Sequence, residues 1–239
     1  MKKLITLLFT ILILLLSTAS AQDLNAQVKA LTERLGKLEA KMENMVSKEQ
    51  KEASARQDFG AIQNLVSTGK TTEAKAAIKD FKTKYAGTKY VSAIDRVSKE
   101  LNVVGKASPK DWKIDKWYQN KDDIDLNSKK PTFVVFWELW CPHCRREVPK
   151  IVELKNKFAS KGVQFIGLTK MSRNTKEKDF LKFLEEKKVN YPIAKENGDL
   201  SDYFAVSGVP AGVFLKDGKA IWRGHPAIVT AEKIESWIK

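Results

Sequence analysis

The chain has 239 residues, 43% of them hydrophobic, and a formal net charge of +14, which suits one ordinary domain with an appendage rather than several domains. So basic a surface suits nucleic acid or a membrane face, but the lysines are spread along every segment and no compact basic cluster alternates with aromatics. Both classes are therefore set aside in favour of a solvated, lysine-rich surface.

In chain order, Lys2 and Lys3 precede an apolar stretch over residues 4–16, and Ala19-Ser20-Ala21 supplies small residues at a cleavage position. Residues 1–21 therefore read as a secretory signal, with an uncleaved anchor in the inner membrane as the alternative, since the stretch falls somewhat short of the roughly 20 residues a spanning helix prefers. No cysteine follows the signal, which excludes a lipid-anchored lipoprotein. Export places the chain in the periplasm or outside the cell, where disulfides form and persist, and removes it from most nucleic acid.

Residues 22–50 form a candidate oligomerisation helix. Leu24, Val28, Leu31, Leu35, Leu38, Met42 and Met45 recur at alternating steps of 4 and 3, which is a continuous a/d seam with Val28, Leu35 and Met42 at a. So narrow a stripe on a lone helix has nothing to bury it against, so a homo-oligomeric coiled coil through residues 24–45 is expected. Arg34 at g would face Glu39 at e of a parallel neighbour. An amphipathic helix folded back on its own chain is the competing reading.

Residues 51–104 read as a helical spacer. After a polar stretch over 47–56, Phe59, Ile62, Leu65 and Val66 form one apolar face and Ser67-Thr68-Gly69-Lys70 breaks it. Ala74, Ala77, Ile78, Phe81 and Tyr85 form the next face, and Tyr90, Val91, Ile94, Val97 and Leu101 a third. The stretch 69–101 resembles one tetratricopeptide-like unit, and a single unit cannot bury both of its faces. It is expected to pack on the rest of the chain or on a sister subunit, as a spacer rather than a peptide-binding module.

Gly105-Lys106-Ala107-Ser108-Pro109 reads as the linker into a last domain, residues 105–239. Trp112, Ile114 and Trp117 open it in extended form; a buried strand follows over 132–137, and Ile151, Val152, Leu154, Lys155 and Phe158 continue at helical spacing. A strand is expected over 163–168, a helix over 180–188, a short strand over 191–193 and a small helix over 200–204. Asp217-Gly218 turns a hairpin between 213–216 and 220–223, and 231–238 closes as a helix.

The two cysteines of the chain, Cys141 and Cys144, sit at the junction between the strand and the helix. The first lies at the helix start and the second one turn in, close enough to form a small disulfide ring. A sulfur at a helix start faces the positive end of the macrodipole and free backbone N–H groups, which favours its thiolate. Pro142 suits the first helical turn, where its missing N–H costs nothing, and His143 can donate a hydrogen bond or carry a charge. The competing readings are a structural disulfide and a half-site for zinc. Zinc needs about four ligands, and beyond these residues the chain offers only His225, so no metal site is expected.

The string Phe136-Trp137-Glu138-Leu139-Trp140-Cys141-Pro142-His143-Cys144-Arg145-Arg146-Glu147-Val148-Pro149, with Gly208-Val209-Pro210 and 221–226 as further landmarks, resembles the thioredoxin-fold thiol-disulfide oxidoreductases of the TlpA/ResA type. The resemblance covers roughly residue 104 to the C-terminus. It implies an α/β thioredoxin fold, a central mixed sheet flanked by helices, here preceded by an all-α region of coiled coil and helical hairpin. It implies catalysis by Cys141 and Cys144 without a bound cofactor, a cis proline at Pro210 facing the dithiol, and pairing of a substrate strand with Val209. Trp137 and Trp140 would wall the groove together with Pro142, an ordinary core aromatic being the competing reading of Trp137. Glu147 matches a functional glutamate three residues after the second cysteine. The buried aspartate of thioredoxins, six residues before the first cysteine, is Val135 here, and the Pro-His pair resembles the oxidant DsbA. The expected activity is disulfide exchange with exported proteins as oxidant or isomerase, with a redox partner that resets the dithiol. The alternatives are a reductase of the cytochrome c maturation type, and an envelope scaffold with a secondary redox head.

Overall fold

The computed structural model describes residues 2–119 and 124–239, and of residues 2–9 and 12–20 the backbone alone. The side chains on which the signal reading rests thus lie largely outside the described residues. Among the described residues no helix is long and apolar enough to cross a membrane. Two compact units are present, residues 1–56 and 57–239.

The first unit is helical and belongs to α1, Lys2–Ser67. The polar stretch 47–56 does not interrupt it; Ala, Glu, Lys and Gln predominate there and are good helix formers. Every residue of the heptad seam stays open, from 53% exposed at Val28 to 65% at Met42.

In the second unit, the end of α1 (57–67) joins α2 (Thr71–Lys84) and α3 (Val91–Leu101). Ile62, Ala74, Ile78, Phe81 and Ile94 are buried between them, the rings of Phe59 and Tyr90 lie 5.5 Å apart, and the Tyr85 hydroxyl donates to Asp58 Oδ2 at 2.6 Å. The expected hairpin is thus a cluster of three helices. The segment that follows the cluster is tied to the sheet: Gly105 N–H donates to the Ala220 carbonyl at 2.7 Å, Ala220 N–H to the Lys106 carbonyl at 2.9 Å, and Ser108 N–H to the Gly218 carbonyl at 2.8 Å. Residues 105–108, read as a linker, therefore lie hydrogen-bonded against the edge strand of the sheet.

That sheet has six strands in the order β1-β4-β3-β2-β5-β6. β2 (Thr132–Phe136) lies at its centre, parallel to β3 (Gln164–Thr169) and antiparallel to β5 (Ala211–Lys216); β4 (Ile193–Glu196) is parallel to β3. The outer strands are β1 (Ile114–Gln119), antiparallel to β4, and β6 (Lys219–Gly224), antiparallel to β5. All of β2 is buried, as expected of a β-branched and aromatic run covered on both faces. Phe133, Val135 and Trp137 face one core with α4 (Pro142–Phe158), α5 (Glu177–Glu186) and α7 (Ala231–Ile238), whereas Val134 and Phe136 face a second core with α6 (Asp199–Tyr203). The β2-α4-β3 crossover followed by the β5-β6 hairpin and α7 is the thioredoxin arrangement, with β4 and α6 inserted before β5. The domain has the expected fold.

Candidate active site

β2 delivers the chain to a short loop at the end of the sheet, and Cys141 closes that loop as the N-cap of α4. Cys141 N–H donates to the Glu138 carbonyl at 3.1 Å. Pro142 occupies the first turn, which fixes the helix start without wasting a donor. The Cys144 N–H then points back at Cys141 Sγ from 3.5 Å. Both cysteines are free thiols.

They are not equally placed. Cys144 is fully buried in the core cluster that also holds Val135, Val148 and Ile151, and burial pushes its thiol far above the ordinary range, with the hydrogen bond to Cys141 adding to the effect. Cys141 is also deeper than an exposed nucleophile, at 4% exposure, because the cis-proline loop covers it: the Cys141 thiol donates to the Val209 carbonyl at 3.5 Å. The Val209–Pro210 peptide bond is cis, as the resemblance implies, with Val209 half-buried and Pro210 buried. The structure thus brings Cys141, Cys144, Pro142, Val209 and Pro210 together.

Trp140 joins them from the other side. It is half-buried, its Nε1 donates to Ser172 Oγ at 2.9 Å, and the Arg173 guanidinium sits 3.6 Å above its ring. Trp137, by contrast, is a core residue stacked on Phe180 with centroids 5.2 Å apart. A hollow of about 250 Å3 opens beside Trp140, lined also by Glu138, Ser172, Gly208 and Val209.

His143 and Glu147 stand further back. His143 is exposed, and its Nδ1 accepts from Arg146 Nη2 at 2.6 Å rather than turning to the sulfurs. Glu147 is buried to 8% exposure in α4, its Oε1 3.1 Å from Lys150 Nζ. His225 is structural: its Nδ1 accepts the Ala227 N–H at 3.1 Å and caps a short turn. Burial pushes its imidazole down, the Glu147 carboxylate opposing.

The buried charges Glu138 and Arg223 escaped the sequence reading. Glu138, 4% exposed, accepts the N–H groups of Lys170 and Ser172 at 2.8 and 3.1 Å and so ties the loop after β3 to the cysteine loop. That loop carries left-handed residues at Met171 and Arg173 (φ 56° and 55°), a conformation costly for residues with a side chain. Arg223, 3% exposed, donates to three backbone carbonyls and faces Glu100 of α3 at 3.7 Å. The available signal was a charged residue inside an apolar run, as in Val135-Phe136-Trp137-Glu138 and Ala220-Ile221-Trp222-Arg223.

A reduced pair of thiols at a helix start, faced by a cis proline on a thioredoxin sheet, defines a dithiol redox enzyme. Residues 104–221 match the AhpC/TSA family. The chain is 30% identical over 125 residues to a thiol-disulfide oxidoreductase ResA of Bacillus cereus, covering 52% of this chain and 70% of that protein. It is 23% identical over 118 residues to sporulation thiol-disulfide oxidoreductase A of Bacillus subtilis, covering 48% and 72%. With ResA of Bacillus thuringiensis subsp. konkukian it shares 32% identity over 114 residues, 46% and 62% of the two chains. Among solved structures, StoA from Bacillus subtilis aligns with 55% of this chain and all of its own (100%), at 21% identity and a TM-score of 0.46. The chain belongs to the ResA-like thiol-disulfide oxidoreductases.

Proposed function

We propose that the protein exchanges disulfides with exported proteins as an oxidant or isomerase, through a mixed disulfide on Cys141. The observation that carries this reading is the setting of Cys141 Sγ, between the Cys144 N–H and the Val209 carbonyl, each at 3.5 Å. In the oxidising direction a substrate thiolate attacks Cys141 Sγ of the Cys141–Cys144 disulfide and Cys144 departs, taking up a proton. A second substrate thiolate then attacks the substrate's own sulfur and releases Cys141. Two electrons and two protons pass to the protein dithiol, and the substrate leaves with a disulfide. Val209 pairs with the substrate backbone, while Pro210, Pro142 and Trp140 shape the groove. No bound cofactor is needed, and a separate redox partner resets the dithiol.

The direction follows from charge. Stabilising the Cys141 thiolate stabilises the reduced form and so makes the disulfide more oxidising. The helix start and the Cys144 N–H that points at Cys141 Sγ act that way. The buried Glu138 carboxylate acts against them: its charge raises the neighbouring Cys144 thiol. A second reading, reduction in cytochrome c maturation, is favoured by that same buried carboxylate. Equilibration against glutathione, followed by Trp140 fluorescence, separates the two. The expected potential lies nearer the about −120 mV of DsbA than the about −270 mV of thioredoxin; a value at or below the latter overturns the oxidant reading.

Export rests on the residue pattern of 1–21, and homo-oligomerisation on the open heptad seam of residues 24–45. An oligomer would present several dithiols to one substrate, which suits an isomerase.

A further inference from the structure

The helical cluster of residues 57–101 borders the dithiol site directly. Between it and the cis-proline loop runs a groove of about 410 Å3. Phe59, Gln63, Arg96 and Val97 line its helical wall, facing Gly208 and Val209. Gly208 and Val209 also line the 250 Å3 hollow beside Trp140. Val209, whose carbonyl meets Cys141 Sγ at 3.5 Å, is thus the sill between two hollows. An extended chain that crosses this sill with its cysteine on Cys141 has one flank beside Trp140 and the other beside α3.

The charges along α3 are not balanced on that side. Asp95 is paired with Lys82 at 2.6 Å, and Glu100 faces the buried Arg223 at 3.7 Å. Arg96 and Lys99 are exposed and form no ion pair among the described residues. Arg96 lines the groove and also a further hollow of about 600 Å3 that it shares with Lys99 and Ser207, where the exposed Asp202 is the acid of the opposite wall. With Asp95 held by Lys82 and Glu100, which also lines the groove, facing Arg223, among the described residues the two free cations Arg96 and Lys99 stand against the single acid Asp202.

We propose that α3 is the second wall of the substrate site, and that Arg96 selects polypeptides bearing an acidic residue a few positions from the reactive cysteine, on the flank that passes α3. This rests on the mixed-disulfide reading of Cys141. Selection of about two- to fivefold is expected, which is about 0.4–1 kcal/mol and lies in the upper part of the range for an exposed ion pair.

The test uses the full chain and three extended peptides, each with one disulfide-blocked cysteine: one with aspartates N-terminal to it, one with aspartates C-terminal to it, and one neutral. Exchange rates are measured for the unsubstituted protein and for Arg96→Glu, with hydroxyethyl disulfide as a small neutral substrate for the unsubstituted protein. One acidic peptide should outpace the neutral one by about two- to fivefold, and Arg96→Glu should abolish or invert that ratio. Equal rates for all three peptides, or a preference that survives Arg96→Glu as general steering by the net charge would, overturns the role of α3. Failure to exchange even with hydroxyethyl disulfide overturns the dithiol reading itself.

Discussion

Loss of Arg223 should disturb the unit of residues 57–239 strongly, and its surroundings set the scale. Its side chain is 2% exposed. Nε donates to the Phe204 carbonyl at 2.9 Å, Nη2 to that of Ala205 at 3.2 Å and Nη1 to that of Gly224 at 3.2 Å. Phe204 is the C-cap of α6, so the guanidinium ends that helix and at the same time reaches Glu100 of α3. Burial pulls the guanidinium down from its ordinary range and Glu100 opposes this. Truncation to alanine removes a buried charge, which offsets some of the loss, but strands carbonyls that cost about 1–3 kcal/mol each when left without a donor. Breaking such a buried charged cluster costs about 3–5 kcal/mol, or roughly 10 °C in melting midpoint for a unit of this size. Glu100 is 25% exposed and 3.7 Å away, so Glu100→Gln should cost about 1 kcal/mol or less. All six tryptophans lie within residues 57–239, so thermal unfolding followed by tryptophan fluorescence reports this unit alone. If Arg223→Ala lowers the midpoint no more than Glu100→Gln does, the carbonyl fork is not the anchor and the reasoning fails.

Three further outcomes are expected. Because burial raises the Cys144 thiol in the folded state, its contribution to the stability of the reduced protein is intact below the unfolded value of about 8.5 and is lost as pH rises beyond it, at up to about 1.4 kcal/mol per pH unit. The stability gap between reduced wild type and Cys144→Ala should narrow by about 1 kcal/mol between pH 8 and pH 9.5; a constant gap, measured by urea titration, speaks against the burial. Cys144→Ser should accumulate mixed disulfides with peptide substrates on non-reducing gels and Cys141→Ser should not, whereas equal trapping through Cys144 would reverse their roles. Light scattering should find the full chain oligomeric, and Leu31→Glu with Leu38→Glu should make it monomeric; a monomeric unsubstituted chain at tens of micromolar removes the coiled coil.

Much of the site was legible because its information is local. A dithiol after an apolar run and before a helical pattern, a Gly-Val-Pro before a strand, and Asp217-Gly218 in a hairpin all declare themselves within a few residues. What sequence hid was non-local. Residues 105–108 look like a flexible linker by composition, yet their backbone pairs with Gly218 and Ala220, more than a hundred positions away. The fourth strand was expected to begin at Tyr191, but the ladder starts at Ile193: the Tyr191 ring is buried at 1% exposure, while the Pro192 carbonyl accepts from Gly167. Glu138 and Arg223 could be noticed as charges in apolar runs, but nothing local names the partners that make their burial tolerable. The near-complete cover of Cys141 likewise comes from Val209, 68 residues along the chain.

The different surroundings of the two sulfurs separate what sets the equilibrium of this dithiol from what sets its speed. At neutral pH Cys144 holds its proton in the reduced state because its thiolate would be buried, so its environment adds little to the free-energy difference between dithiol and disulfide. That difference rests on Cys141, the sulfur that meets the helix start and its N–H. Rate is another matter. In the proposed mechanism Cys144 acts as thiolate when it resolves a mixed disulfide and is the leaving group when a substrate attacks Cys141; both steps slow as its anion becomes less favourable. Val135, 1% exposed, stands where thioredoxins place a buried acid and can accept no proton. Changes around Cys141, such as His143→Pro, should therefore move the potential, whereas changes in the apolar floor at Val135 or Val148 should move rates while leaving the potential nearly where it was.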